Sequence, residues 1–226
     1  MPGAETAKHV DGNAPTRRVA VLGASGGVGR PIVERALESG YEVVCQTRNA
    51  DKLADLAGRV RVVVFEPRDA GKLGQFVAGA DAVIFALGVD ASGATTLFSE
   101  VTEGLIAAMR QQRVKRLIAI TGVGAGETRG HGGFLYDRII FPLFTRQRYA
   151  DKDRQEALIA ASDLDWTIVR PAPFAKAGVA GAIEVHTRIA RDTVLRRVTR
   201  AEVAAFVVEQ IDSDRYQRQR PFIGHP

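Results

Sequence analysis

Four glycines, Gly23, Gly26, Gly27 and Gly29, stand within the seven residues that follow the apolar run "RRVAVL". Phosphate binding by backbone requires this kind of composition. A side chain would hold the anion away from the N–H groups, whereas glycine lets it approach them and the positive end of a following helix. The spacing G-x-x-G-x-x-G, between an apolar run and a helical pattern, is that of a dinucleotide site. Ser25 is expected to add a hydroxyl donor. No Gly-Lys-Ser/Thr closes the motif, which disfavours a mononucleotide loop. A second position about 20 residues on carries the choice of dinucleotide, because an acid there bonds a ribose 2′-hydroxyl. The sequence there is "CQTRN", with Arg48 in place of an acid, Lys52 a turn later, and Glu42 at the far end of the run. A guanidinium pairs with a 2′-phosphate, so the residues point to NADP(H) rather than NAD(H).

The elements that must position these residues follow from hydrophobic periodicity. Residues 17–23, 41–48, 60–66, 81–88, 114–122 and 165–171 are apolar runs of strand length. Ile32, Val33, Ala36 and Leu37 recur at helical spacing before Gly40, and Leu97, Val101, Leu105, Ile106 and Met109 mark a long helix over 95–113. A further helix is expected at 147–162, and Thr199 with Glu202 three residues on reads as a capped helix start. Strands alternating with helices predict an α/β Rossmann fold. Its doubly wound parallel sheet would have about six to seven strands, helices on both faces and a small C-terminal extension at the substrate site. Residues 1–16 are expected to be a disordered arm, and 17–226 one dinucleotide-binding domain with substrate loops at 123–150 and 172–198.

Composition narrows the function classes. Apolar residues make up 46% of the 226, enough for a large core, and the formal net charge is +5. The positive charge is spread among acids with no basic run and interleaved aromatics, so no nucleic-acid partner is expected. Cys45 is the only cysteine and His9, His131, His186 and His225 are scattered, so neither an intrachain disulfide nor a metal site is expected. The chain has no signal-like apolar segment and no run of membrane-spanning length. A cytoplasmic protein without a membrane partner is expected, acting on a small molecule as monomer or homodimer.

With these residues in place, the chain resembles the atypical short-chain dehydrogenase/reductases, in particular the NAD(P)-binding group of NmrA-like proteins and biliverdin-IXβ/flavin reductases. "GASGGVG", Arg48, "DAVIFALG", "TTLFSEVTEGLIAAMRQQRVKRLIAITGVGA", "DKDRQEALIAASDLDWTIVRP" and "VTRAEVAAFVV" carry the likeness over residues 17–224. The resemblance implies that Gly23, Ser25, Gly26, Gly27, Val28 and Gly29 line the pyrophosphate and that Arg48 holds the 2′-phosphate. It implies that Glu66 and Pro67 flank adenine and that Ala86, Leu87 and Gly88 pass beneath the ribose. Thr121 would stand near the nicotinamide. Pro171, Ala172 and Pro173 would close over its amide, the prolines stiffening a loop whose backbone N–H and C=O meet the carboxamide.

Many members of the wider superfamily use a serine, a tyrosine and a lysine, with the tyrosine four residues before the lysine. Here Tyr149 and Lys152 are three apart, still one helix face, and Gly122 takes the place of the serine, leaving Thr121 as the nearest hydroxyl. The resemblance implies an NADPH-dependent reductase in which Lys152 positions the nicotinamide ribose and Tyr149, Thr121, Tyr136 or solvent supplies a proton. Phe134, Leu135, Tyr136, Phe141, Phe144 and Phe174 would form a wall for a flat or hydrophobic substrate such as a quinone, flavin, ketone or polyketide. Two other readings stand beside it: a non-catalytic NADP(H)-binding redox sensor of the NmrA type, and an isomerase or epimerase that uses bound cofactor.

Overall fold

The computed structural model describes residues 16–88, 94–122, 146–176, 178, 181–190 and 193–226, the side chains of 146–149 excepted. β1 (Arg18–Leu22) is the innermost of the early strands, and its residues alternate between two cores. Successive side chains of a strand point to opposite faces. Val19 and Val21 therefore meet Ile32, Val33 and Ala36 of α1 (Gly29–Glu38) and Val203 and Val207 of α5 (Arg200–Glu209). Ala20 and Leu22 meet Leu73 and Phe76 of α2 (Ala70–Val77) and Phe98, Leu105 and Met109 of α3 (Leu97–Gln111). A strand covered on both sides has no polar face, which is why its sequence reads as an uninterrupted apolar run.

The remaining strands are β2 (Glu42–Thr47), β3 (Val60–Val64), β4 (Ala82–Phe85), β5 (Arg116–Ile120), β6 (Asp165–Pro171), β7 (Glu184–His186) and β8 (Phe222–Gly224). Among the described residues the sheet has eight strands in the order β3-β2-β1-β4-β5-β6-β8-β7, all parallel except the β7–β8 pair. The expected α/β Rossmann architecture is present, with one strand more than the upper expectation. β7 and β8 have three residues each, too short for a periodic signal. A 3-10 helix at Ala50–Leu56, also not foreseen, leads from β2 toward β3. The chain leaves β1 for β2 on one side and returns to pair β4 on the other. That reversal opens a crevice at the carboxyl ends of β1 and β4, the usual ligand site of such sheets.

α4 (Arg146–Ala160) departs from the usual pattern of buried faces. Asp151, Lys152, Gln155, Glu156 and Ile159 are buried, a one-sided stripe made almost entirely of polar groups. Asp151 performs a structural service for its neighbour: it accepts from the Phe98 N–H at 2.8 Å and the Ser99 hydroxyl at 2.5 Å. The N-cap of α3, Thr96, makes no side-chain cap bond, so Asp151 satisfies an orphan amide from another helix.

α5 has the capping box expected from sequence. Thr199 Oγ1 accepts from the Glu202 N–H at 3.2 Å, and Glu202 Oε2 accepts from the Thr199 N–H at 2.8 Å. Glu202 Oε1 is also 2.9 Å from Nε2 of the buried His225. Burial opposes ionisation of Glu202, but the bonds from the Thr199 side chain and backbone and from His225 outweigh it and hold its carboxyl below the ordinary 4.5. The group therefore adds stability above its unfolded pKa and loses that contribution as pH falls through the lower folded value. Thr199→Ala is expected to cost about 1 kcal/mol in denaturant unfolding near neutral pH. The stability gap between wild type and Glu202→Gln should be open near neutrality and close on acidification below about pH 4; a gap independent of pH would contradict this role.

Candidate functional site

The turn between β1 and α1 is built by backbone contact. Gly23 has φ +86°, and a Cβ there would lie 2.9 Å from the Ala86 carbonyl oxygen at the end of β4. A Cβ on Gly29 would overlap the Gly23 carbonyl oxygen. Gly29 is therefore required for closure of the turn and does not line the cleft above it. Gln46, which sequence reasoning missed, ties this turn to the sheet. Its Oε1 accepts from the Gly23 N–H at 2.9 Å, its main-chain carbonyl from the Ala24 N–H at 3.0 Å, and its Nε2 donates to the Phe65 carbonyl at 2.7 Å.

Above the turn lies a cleft of about 560 Å³. It is lined by Gly23, Ser25, Gly26, Gly27 and Val28 of the turn, by Arg48 and Lys52 beyond β2, and by Pro67. Ala86, Leu87 and Gly88 beyond β4, Thr121 and Gly122 beyond β5, Lys152 of α4, and Pro171, Ala172, Pro173 and Phe174 at the end of β6 complete it with Arg200. The structure thus brings together most of the described residues singled out in the sequence. Glu66 is exposed and lies outside the lining, although its neighbour Pro67 is within it. Tyr149 falls in the first turn of α4 with its side chain outside the described residues; Phe134, Leu135, Tyr136, Phe141 and Phe144 lie outside them altogether.

The charge of the lining is one-sided. Arg48, Lys52, Lys152 and Arg200 contribute four cations, and no carboxylate is present among the described lining residues. Arg48, Lys52 and Arg200 are exposed, and among the described residues none has a carboxylate at ion-pair distance. Arg30, by contrast, is committed to Glu34 and Asp55. Arg200 was not foreseen; its only sequence signal was its place beside the Thr199 cap.

Three hydroxyl or backbone expectations are corrected. Ser25 Oγ is 2.8 Å from Thr47 Oγ1, whose own proton points to the Asn49 carbonyl at 3.0 Å, so Ser25 donates to Thr47 and not into the cleft. Thr121 donates to Glu156 Oε1 at 2.7 Å, so its proton is directed into the protein. The Ala172 N–H donates to the Ile223 carbonyl at 2.8 Å and the Pro173 carbonyl accepts from Val198 at 3.1 Å, so β8 and the segment before α5 have taken the groups assigned to an amide ligand.

Beneath the cleft floor, Glu156 also receives Arg170 Nε at 3.1 Å and Nη2 at 2.6 Å, with Arg220 Nε at 3.5 Å. Arg170 is 1% exposed. Lys152 is 8% exposed, donates to the Ile120 carbonyl at 3.4 Å and lies 4.5 Å above the Phe98 ring. Burial of both members makes the Glu156–Arg170 pair intolerant of half-removal, since the surviving charge has lost its partner. Glu156→Ala is expected to cost about 3–5 kcal/mol in equilibrium unfolding; a loss below about 1 kcal/mol, typical of a surface pair, would contradict it.

A cradle that a Cβ would fill, the end of β4 pressed against it and a cationic cleft without acids fit a phosphate-bearing dinucleotide. Comparison with known proteins agrees. The photosystem II assembly factor Ycf39 of Synechocystis is 27% identical over 222 residues, 92% of this chain and 62% of that protein, so the chain spans less than two thirds of that relative. Among solved structures, ChuY, an anaerobillin reductase of Escherichia coli O157:H7, superposes with a TM-score of 0.76 at 23% identity, covering 92% of this chain and 97% of that one. A short-chain dehydrogenase/reductase of Veillonella parvula in complex with NADP gives 0.75 at 17% identity, covering 93% and 95%. The NAD(P)H-binding family model matches residues 23–214, from the first glycine of the turn to the loop beyond α5, and the chain belongs to that family.

Proposed function

We propose that the protein is an NADPH-dependent reductase of a hydrophobic or flat aromatic small molecule. The observation that carries this reading is a cleft at the reversal point of the sheet, lined by four cations and, among the described residues, by no carboxylate. Family membership supports the nucleotide, and ChuY is a reductase of the same broad reaction class. Bound in this cleft, NADPH would supply a hydride.

The chain's own residues would then divide the work. Gly27 and Val28 present backbone N–H groups to the pyrophosphate, while Gly23 and Gly26, whose own amides are bonded to Gln46 and to the Gly23 carbonyl, let it approach the turn closely. Arg48 and Lys52, beyond the end of β2, take the 2′-phosphate, with no acid among the described lining residues to favour a bare 2′-hydroxyl. Pro67, Ala86, Leu87 and Gly88 give the adenosine half an apolar bed. Lys152, held by the Ile120 carbonyl and the Phe98 ring, is placed to orient the nicotinamide ribose. Pro171, Ala172, Pro173 and Phe174 exclude water from the reacting end. Thr121, bonded to Glu156, acts as a fixed wall, which leaves proton supply to Tyr149, Tyr136 or solvent.

That inward-pointing hydroxyl also favours a second reading, a non-catalytic NADP(H)-binding sensor. The two separate in one assay. Purified protein with NADPH and a panel of quinones, flavins and aromatic ketones should oxidise the nucleotide, and Lys152→Ala should reduce that rate at least about tenfold. Tight NADPH binding with no oxidation across the panel would favour the sensor. For the nucleotide itself, Arg48→Ala should weaken NADPH by about tenfold or more and leave NADH nearly unchanged in calorimetric titration. An equal effect on both would refute the 2′-phosphate assignment.

A further inference from the structure

Gly27 is a glycine without a backbone reason. It is not among the residues at positive φ, and no main-chain atom crowds its Cβ position. What stands there is the Arg200 side chain, with Nε 3.2 Å, Cδ 3.8 Å and Cζ 3.9 Å from where a Cβ would be. Arg200 is the first residue of α5, fixed there by the Thr199–Glu202 capping box. Its guanidinium lies 4.8 Å above the Phe174 ring, and no carboxylate is at ion-pair distance among the described residues. The missing side chain at 27 makes room for a planar cation stacked on an aromatic ring, against the phosphate turn and within the cleft lining.

We propose that Arg200 is an anion clamp that grips the pyrophosphate of the dinucleotide from the α5 side. The assignment rests on the NADP(H) reading above and adds a residue to it. Position separates Arg200 from the other cations of the lining. Arg48 and Lys52 follow β2, and Lys152 sits beside Ile120 and Phe98, whereas Arg200 stands against Gly27 of the glycine turn. The cation–π contact with Phe174 holds the guanidinium beside the turn without using its N–H donors, which stay available for oxygen acceptors. Because NADH and NADPH share the pyrophosphate, this residue strengthens binding without choosing between them. Selectivity is left to Arg48.

The test is calorimetric titration of NADPH, NADH and inorganic pyrophosphate into wild type, Arg200→Ala, Arg200→Lys and Arg48→Ala. Arg200→Ala should weaken both dinucleotides by a similar factor of about ten or more and reduce pyrophosphate binding, with the melting curve unchanged because the side chain is exposed. Arg200→Lys, which keeps the charge and loses the planar fork, should fall between. Arg48→Ala should weaken NADPH alone. If Arg200→Ala binds both nucleotides as wild type does, or loses NADPH only, the clamp is overturned while the dinucleotide reading stands. If wild type binds neither nucleotide, the dinucleotide reading itself falls and the clamp with it.

Discussion

The structure is organised around a place where main chain touches main chain. The Gly23 carbonyl occupies the space that a side chain on Gly29 would need, and the end of β4 occupies the space beside Gly23. This contact brings the start of α1 directly onto the carboxyl end of β1. Gln46 then locks the turn to β2 and β3 through a backbone carbonyl and both side-chain heteroatoms. A methyl group at either glycine would separate the layers, and the cleft would lose its floor before any ligand contact was changed.

Charge is sorted around that floor. The described side chains lining the cleft are cationic or neutral, and two acids of α4 are buried. Asp151 caps α3 and Glu156 neutralises Arg170 while receiving Thr121. An anion approaching from solvent therefore meets a lining whose described charges are positive. The same sorting explains why Thr121 is a poor proton source: its hydrogen is already committed to a carboxylate in the interior.

Much of this was legible in sequence because it follows from periodicity or from spacing. The buried strands read as apolar runs, α5 announced its start through Thr199 and Glu202, and the glycine turn and Arg48 line one cleft. The rest was hidden for identifiable reasons. α4 buries Asp151, Lys152, Gln155 and Glu156, so a search for apolar stripes passes over its inner face. Gln46 sits within an apolar strand and looked incidental until its three bonds to the turn and β3 were visible. Arg200 comes more than 170 residues after Gly27, and only the packing of α5 on α1 brings the two together. The hydroxyl of Ser25 and the backbone of Ala172 looked available because their partners, Thr47 and Ile223, are also distant in sequence.

The polar inner face of α4 has a consequence for precision. Apolar side chains sliding over one another lose little over a fraction of an ångström, so a greasy helix sets its longitudinal position only loosely. α4 is instead keyed: Asp151 to the Phe98 amide, Gln155 to Thr102 and Glu156 to Arg170, three directional bonds spread over six residues. A displacement along the helix axis large enough to move Lys152 from the Ile120 carbonyl would break all three at once. Registration of the lysine is thus set by a row of teeth, and the tolerance of this end of the cleft is that of a hydrogen bond.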